Sequence, residues 1–223
     1  WHINGQLREE GKRDNGHIIG RYQSYYDTGK PQKLEHFATE KKPGEHSYGR
    51  VGEYKQWTAN GDLTQEGQYL DNKRHGIWIT YQQGEKSREQ EFINGNAEGR
   101  FVDYYQGRRR TSGYYYNNQK TGEWIEDYYQ ADDPTYGFIP EGTIRYKTQW
   151  QDNKQHGKAE FYTAKNILHK VEHWDKGVKS GDYQEFYVSN GEPKLAGNMQ
   201  KGEWFGLWQA WYEDGTLAQA VHY

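Results

Sequence analysis

Residues 71–105, DNKRHGIWITYQQGEKSREQEFINGNAEGRFVDYY, contain one complete repeat unit and the beginning of the next. The unit starts at an anchor glycine, Gly76, and has aromatic residues two and five positions later, at Trp78 and Tyr81. A glycine turn, a polar stretch and an Asn-Gly turn follow before the pattern returns at Gly99. Two runs of about eight residues between turns of this kind predict two antiparallel strands in each unit.

The same pattern recurs along the whole chain of 223 residues. Its anchor glycines are Gly20, Gly52, Gly76, Gly99, Gly122, Gly157, Gly181 and Gly206. They are 32, 24, 23, 23, 35, 24 and 25 residues apart, which is a period of 23–25 residues with two insertions. Because no stretch has a sustained 3.6-residue apolar period, almost no helix is expected. The sequence predicts an all-β fold, an elongated antiparallel β-meander of about eight hairpin repeats in one largely single-layer twisted sheet, with residues 1–223 as a single array.

The two ring positions form two aromatic columns. Side chains alternate between the faces of a strand, so the columns are expected on opposite faces of the sheet. The first column contains Tyr22, Tyr54, Trp78, Phe101, Trp124, Tyr183 and Trp208. The second contains Tyr25, Trp57, Tyr81, Tyr104, Tyr162, Phe186 and Trp211. Since the sequence supplies no amphipathic helix to cover either face, we expect both columns to be uncovered and to stack between neighbouring strands.

Composition excludes several classes of protein. The chain has nine Trp, 21 Tyr and seven Phe, no Cys, and a net charge of -3. Without Cys there is no disulfide scaffold, thiol nucleophile or Cys-based zinc site. No run of 18 apolar residues is present, so we expect no membrane insertion. The balanced charge gives no reason to expect nucleic acid as a partner.

Four segments resemble the MORN-repeat variant found in bacterial antitoxin-like proteins. They are DNKRHGIWITY at 71–81, NNQKTGEWIEDYY at 117–129, DNKQHGKAEFY at 152–162 and KGEWFGLWQAWYEDGTL at 201–217. The resemblance covers nearly the whole chain apart from its insertions. It implies an antitoxin or immunity protein, or a general interaction scaffold. The unit at Gly157 departs from the pattern, because Ala159 occupies a ring position.

The beginning of the sequence falls inside a ninth, incomplete unit. Trp1 stands four residues before the turn glycine Gly5, as Trp57 stands before Gly61. We therefore expect further residues upstream. An export signal there would send the protein to the periplasm, the compartment we expect, with the cytoplasm as the alternative.

The most enzyme-like motif is HKVEH at residues 169–173, which matches the zinc-binding motif of inverted zinc proteases. In the frame of the repeat it lies in the second strand of its unit. On a strand His169 and His173 would be roughly 13 Å apart, too far to share one metal ion. No nucleophile, base and orienting group can be assembled either. We therefore expect no enzyme activity, no cofactor and no metal site.

The insertions are the better candidates for binding, because added residues in repeat arrays often form the binding surface. The first covers residues 30–50 and the second covers residues 131–141, ADDPTYGFIPE. Carboxylates around apolar anchors are typical of a binding hot spot. The predicted partner-binding residues are Asp132, Asp133, Tyr136, Phe138 and Ile139 in the second insertion and the basic run Arg108, Arg109 and Arg110. The alternatives are an insertion that merely bridges two strands and a basic run that is a solvated strand end.

The leading hypothesis is a non-catalytic immunity or antitoxin protein that binds and sterically blocks a cognate toxin or secreted effector. Tyr- and Trp-rich surfaces give a large rigid contact area at low entropic cost. The alternative is a carbohydrate- or cell-wall-binding module, in which the aromatic columns stack on sugar rings.

Overall fold

The structure is a computed structural model of the 223-residue chain and describes residues 1–42, 44, 48–134 and 137–223. Within these residues the chain forms β-strands and no helix, which confirms the all-β prediction. The strands are β1 Glu9–Asp14, β2 His17–Tyr25, β3 Pro31–Phe37, β4 Gly52–Trp57, β5 Leu63–Leu70, β6 Lys73–Gln82, β7 Glu85–Ile93, β8 Asn96–Tyr105, β9 Arg108–Tyr116, β10 Gln119–Asp127, β11 Asp132–Asp133, β12 Gly137–Phe138, β13 Ile144–Gln151, β14 Lys154–Tyr162, β15 Leu168–Asp175, β16 Val178–Phe186, β17 Pro193–Gln200, β18 Glu203–Trp211 and β19 Leu217–His222.

The chain divides into two compact units, Trp1–Phe101 and Val102–Tyr223. In the first unit, each strand from β1 to β6 pairs antiparallel with the next strand along the chain. In the second unit, β9 pairs with β10, β10 pairs with β13, and the strands from β13 to β19 follow in sequence order. Each unit is therefore an antiparallel meander of hairpins, as the repeat pattern predicts.

The first predicted insertion, residues 30–50, begins with a strand of the sheet. Pro31–Phe37 forms β3, which pairs with β2 from Gly20↔Phe37 to Tyr25↔Pro31. This stretch is the second strand of its repeat unit. Antiparallel contacts continue beyond it, since Phe37 pairs with Arg50 and the N–H of Ala38 donates to the carbonyl of Gly49 over 2.8 Å.

The tight turns have the backbone geometry that the sequence predicts. Asn94 and Gly95 have φ values of 51° and 87°, and Asn117 and Asn118 have values of 52° and 65°. Two consecutive residues with positive φ are the mark of a type I′ hairpin turn, for which Asn and Gly are preferred. The Asn94–Gly95 and Asn117–Asn118 pairs therefore fix where β7 and β9 end.

The register of the sheet shifts, as a β-bulge, at the anchor glycines Gly20, Gly76, Gly122, Gly157, Gly181 and Gly206. All eight anchors have positive φ, between 64° and 103°. Around Gly76, for example, Gln68 pairs with His75 and Glu66 pairs with Ile79, so three residues of β6 lie opposite one residue of β5. A residue with a Cβ atom would be strained at this φ, which explains why the position is always glycine.

The bulge brings the first aromatic column across the preceding strand. A Cβ atom added at Gly67, Gly113 or Gly197 would lie 2.5–2.7 Å from Cγ of Trp78, Trp124 or Trp208, respectively, so each indole lies flat on a glycine. Each indole Nε1 donates to the carbonyl of the residue after that glycine, over 2.9 Å from Trp78 to Gln68, 3.2 Å from Trp124 to Tyr114 and 3.0 Å from Trp208 to Asn198. These three indoles and Tyr54 are only 2–6% exposed. The expectation that this column is uncovered is therefore wrong for these four residues, because the neighbouring strand covers them. The other three, Tyr22, Phe101 and Tyr183, are half-buried.

In the unit at Gly157, other residues stand in place of the tryptophan of the first column and of the glycine beneath it. Ala159 stands at the ring position and pairs with Thr148, and both residues are buried. Trp150 lies in the same strand as Thr148 and donates from Nε1 to the threonine Oγ1 over 2.8 Å. The small Ala159 thus replaces the ring, and the larger Thr148 replaces the glycine opposite it.

Tyrosines six positions after the anchor glycine connect successive repeats. The hydroxyl of Tyr26 donates to the main-chain carbonyl of Trp57 over 2.8 Å. Tyr128 donates in the same way to Tyr162 over 3.0 Å, and Tyr187 donates to Trp211 over 2.8 Å. In each case the acceptor is the fifth residue after the next anchor, so these bonds hold neighbouring hairpins in register.

Candidate partner-binding site

The second insertion, residues 131–141, carries a short hairpin of its own in the second unit. Its strands β11 and β12 pair at Asp132↔Phe138 and Asp133↔Gly137 and form a sheet separate from the meander. Of the predicted binding residues, Tyr136 lies outside the described residues, and only the main chain of Asp133 is described. The insertion is therefore more than a simple bridge between two strands.

Ile139 anchors the hairpin at its base. Its side chain is 1% exposed, and its N–H donates to the carbonyl of Ala131 over 2.7 Å. Its own carbonyl accepts a 2.7 Å hydrogen bond from Nη2 of Arg108. One residue thus fixes both ends of the insertion to each other and to the strand that carries the basic run.

An ion pair between a buried carboxylate and a half-buried arginine lies at the end of β10, just before the insertion. Asp127 is completely buried at the fifth position after Gly122, where the other units carry an aromatic ring. Arg109 binds both carboxylate oxygens, with a 3.0 Å bond from Nη2 to Oδ1 and a second bond from Nε to Oδ2. The hydrogen bond to Asp127 raises the pKa of the Arg109 guanidinium. Bidentate charge-assisted pairs of this kind hold a fixed geometry.

Each arginine of the predicted basic run has a partner inside the second unit. Arg108 holds Ile139, Arg109 holds Asp127, and Arg110 pairs with Asp103. Arg108 therefore brings the run next to the insertion, but it and Arg109 hold the base of the hairpin, and Arg110 is bound to Asp103 in β8. The sequence signal that could have revealed this is Asp127, a carboxylate in a column of rings.

The exposed part of the insertion is apolar and acidic. Phe138 is 73% exposed, and Asp132 and Glu141 are also exposed. Residues 131–141 contain three acidic side chains and no Lys, Arg or His. The hairpin therefore presents one large apolar side chain in a negatively charged surrounding.

The HKVEH motif lies in β15, a strand, as the repeat frame predicts. Nδ1 of His173 makes a 3.0 Å hydrogen bond with the carbonyl of Asp182, and burial lowers the pKa of His169. Among the described residues, no three His, Asp or Glu side chains are grouped so that they could hold a metal ion. Nor does the described part of the chain include a helix that is long and apolar enough to cross a membrane.

A cleft of about 660 Å³ in the first unit is lined mainly by polar side chains, among them Glu9 and Glu35. Glu9 accepts a 2.7 Å hydrogen bond from the hydroxyl of Tyr22. Oε1 of Glu35 lies 3.1 Å from Nε of Arg50. These two carboxylates are thus engaged within the protein.

No protein-family model matches the chain, and no curated protein is significantly similar to it. The repeat pattern and the geometry of the second insertion are therefore the basis for assigning a function.

Proposed function

We propose that the protein is a non-catalytic binding protein similar to the MORN-repeat antitoxins, and that it binds a cognate toxin or secreted effector and blocks it sterically. The hairpin at residues 131–141 is the observation that supports this proposal. It holds Phe138 outside the protein on a base fixed by Ile139. An aromatic side chain on a rigid base loses little conformational entropy on binding, which is typical of interface hot spots.

Two residues that the sequence singles out have structural partners. His173 of the HKVEH motif bonds to a main-chain carbonyl of the next strand, and Arg109, a predicted partner-binding residue, is bound to the buried Asp127. Fixed side chains of this kind support a scaffold role, in which the protein covers the active site of its partner.

Capture followed by a neutralisation assay tests the proposal. The tagged chain is used to purify partners from a lysate of the native host, and each captured protein is then expressed alone and together with the chain. We expect one stoichiometric partner that is toxic alone and harmless in the presence of the chain. A captured protein whose activity is unchanged when the chain saturates it would contradict the blocking function.

A second candidate function, carbohydrate binding, is favoured by one aromatic side chain. Trp204 stacks on Trp208 with ring centroids 4.2 Å apart and an angle of 11°, and it is still 46% exposed. In two other units the equivalent position carries a cation, with Arg74 4.4 Å above Trp78 and Lys120 4.1 Å above Trp124. The exposed face of the indole could stack on a sugar ring.

Titration with cell-wall polysaccharide separates the two functions. If the protein binds sugar, intrinsic tryptophan fluorescence changes with a saturable curve, and Trp204→Ala removes the change. We expect no saturable change in fluorescence, because the three indoles of the first column are buried. By itself, Trp204 offers a single ring for stacking on sugar.

A further inference from the structure

Neighbouring residues of the insertion point to opposite sides of an extended chain. Ile139 is buried at the base, and Phe138, directly before it, is exposed. Successive side chains of a strand alternate in this way, so burial of Ile139 forces Phe138 outward. An enclosed aromatic side chain buries roughly 150–250 Å². A partner that uses this side chain therefore needs a concave apolar pocket of phenyl size.

The charged residues of segment 131–141 are all acidic. They are Asp132, Asp133 and Glu141. Arg109 is paired with the buried Asp127, whereas Arg108 donates to the neutral carbonyl of Ile139 and keeps its positive charge at the base of the hairpin. Because the acidic side chains of the segment outnumber this one positive charge, the hairpin offers the partner a net acidic surface.

We propose that the hairpin inserts Phe138 into an apolar pocket of the partner protein whose rim carries Lys and Arg side chains. This inference rests on the proposed function and specifies the surface that the partner contributes. The aromatic ring supplies the buried contact that slows dissociation, whereas Asp132 and Glu141 attract the basic rim and accelerate association. Arg108, Asp127 and Ile139 are positioning residues, because they hold the ring in place without touching the partner.

Association and dissociation rates of the purified partner test the two contributions separately. Phe138→Ser is expected to raise the dissociation rate by at least about 30-fold, the effect of losing a hot-spot side chain. Phe205→Ser is the matched control, since Phe205 is also an exposed phenylalanine of the second unit. The control is expected to leave both rates unchanged.

Charge reversal tests the sign of the partner surface. Asp132→Lys with Glu141→Lys is expected to slow association at least about tenfold at low salt, with a smaller effect at high salt. Glu192→Lys with Glu203→Lys changes the net charge equally at exposed positions of the same unit and serves as the control. If the Asp132→Lys and Glu141→Lys variant associates faster than the wild-type chain or at the same rate, the proposal that Lys and Arg side chains surround the pocket of the partner is overturned.

Photo-crosslinking separates failure of this inference from failure of the proposed function. A benzophenone amino acid is placed at position 138 or, as the control, at position 205. We expect crosslinks to the neutralised partner from position 138 only. Crosslinks from position 205 only would overturn the hairpin contact and leave the blocking function standing. Crosslinks from neither position, with no partner neutralised, would overturn both.

Discussion

Replacing Gly67 by alanine should break the central packing of the first unit. The added Cβ atom would lie 2.4 Å from Cδ2, 2.5 Å from Cε2 and 2.7 Å from Cγ of Trp78. Carbon atoms prefer separations of about 3.5–4.0 Å, so the ring must move by roughly 1 Å. Gly67 has no positive φ. The effect is therefore steric, without a contribution from backbone strain.

The magnitude follows from two losses. Overpacking a buried site costs about 1–3 kcal/mol. Displacing the indole also weakens its 2.9 Å bond to the carbonyl of Gln68, which contributes about 1 kcal/mol. We expect the free energy of unfolding to fall by about 2–3 kcal/mol, a decrease in Tm of about 5–10 °C. Thermal unfolding followed by near-UV circular dichroism measures it.

Gly11 provides the matched control, because it occupies the same position opposite Tyr22. A Cβ atom there would lie 3.1 Å from the tyrosine Cδ2, so a shift of a few tenths of an ångström relieves it. Gly11→Ala should lower the free energy of unfolding by less than about 1 kcal/mol. In addition, Gly67→Ala should not lower the free energy of unfolding further when Trp78 is already replaced by alanine. Equal destabilisation by the two glycine variants, or additivity with Trp78→Ala, would refute the packing argument.

Three further predictions concern the second unit. Asp127→Ala should lower the free energy of unfolding by about 1.5–3 kcal/mol in urea titrations, because the charge-assisted hydrogen bonds from Arg109 are lost; the same loss from Asp127→Phe with Arg109→Leu would argue against this reason. Tyr187→Phe should cost about 1 kcal/mol through its lost hydrogen bond, whereas Tyr212→Phe at an exposed site should be neutral. Burial and a hydrogen bond to a glutamate raise the pKa of Tyr146 to about 12, above its unfolded value of about 10. The resulting stability is present below pH 10 and lost as the pH rises to 12, and Tyr146→Phe should flatten that loss in pH-dependent unfolding.

Much of the meander could be predicted from the sequence, because its signals are local. Pairs such as Asn94–Gly95 mark turns by their tolerance of positive φ, and anchors such as Gly76 recur with a fixed period. Strand placement of the HKVEH motif follows from the same period. Local conformational preference is sufficient for these features, since each depends on a few consecutive residues.

The remaining features depend on which residues face each other across strands. Gly67 lies under Trp78 only because the bulge at Gly76 shifts the register, and nothing in the spacing shows that shift. The burial of Tyr54, Trp78, Trp124 and Trp208 therefore does not follow from the sequence pattern. The same holds for Arg109, which reads as a free surface charge until Asp127 is placed opposite it. The contact between Arg108 and Ile139 likewise depends on the tertiary structure.

Neutralisation of the captured partner by three versions of the chain tests the central claim most directly. The measurement is growth of cells that express the partner together with the wild-type chain, Phe138→Ser or Phe205→Ser, at equal protein levels. We predict full growth with the wild-type chain and with Phe205→Ser, and loss of protection with Phe138→Ser. Full protection by Phe138→Ser, with protection lost in Phe205→Ser, would contradict binding through the hairpin at residues 131–141.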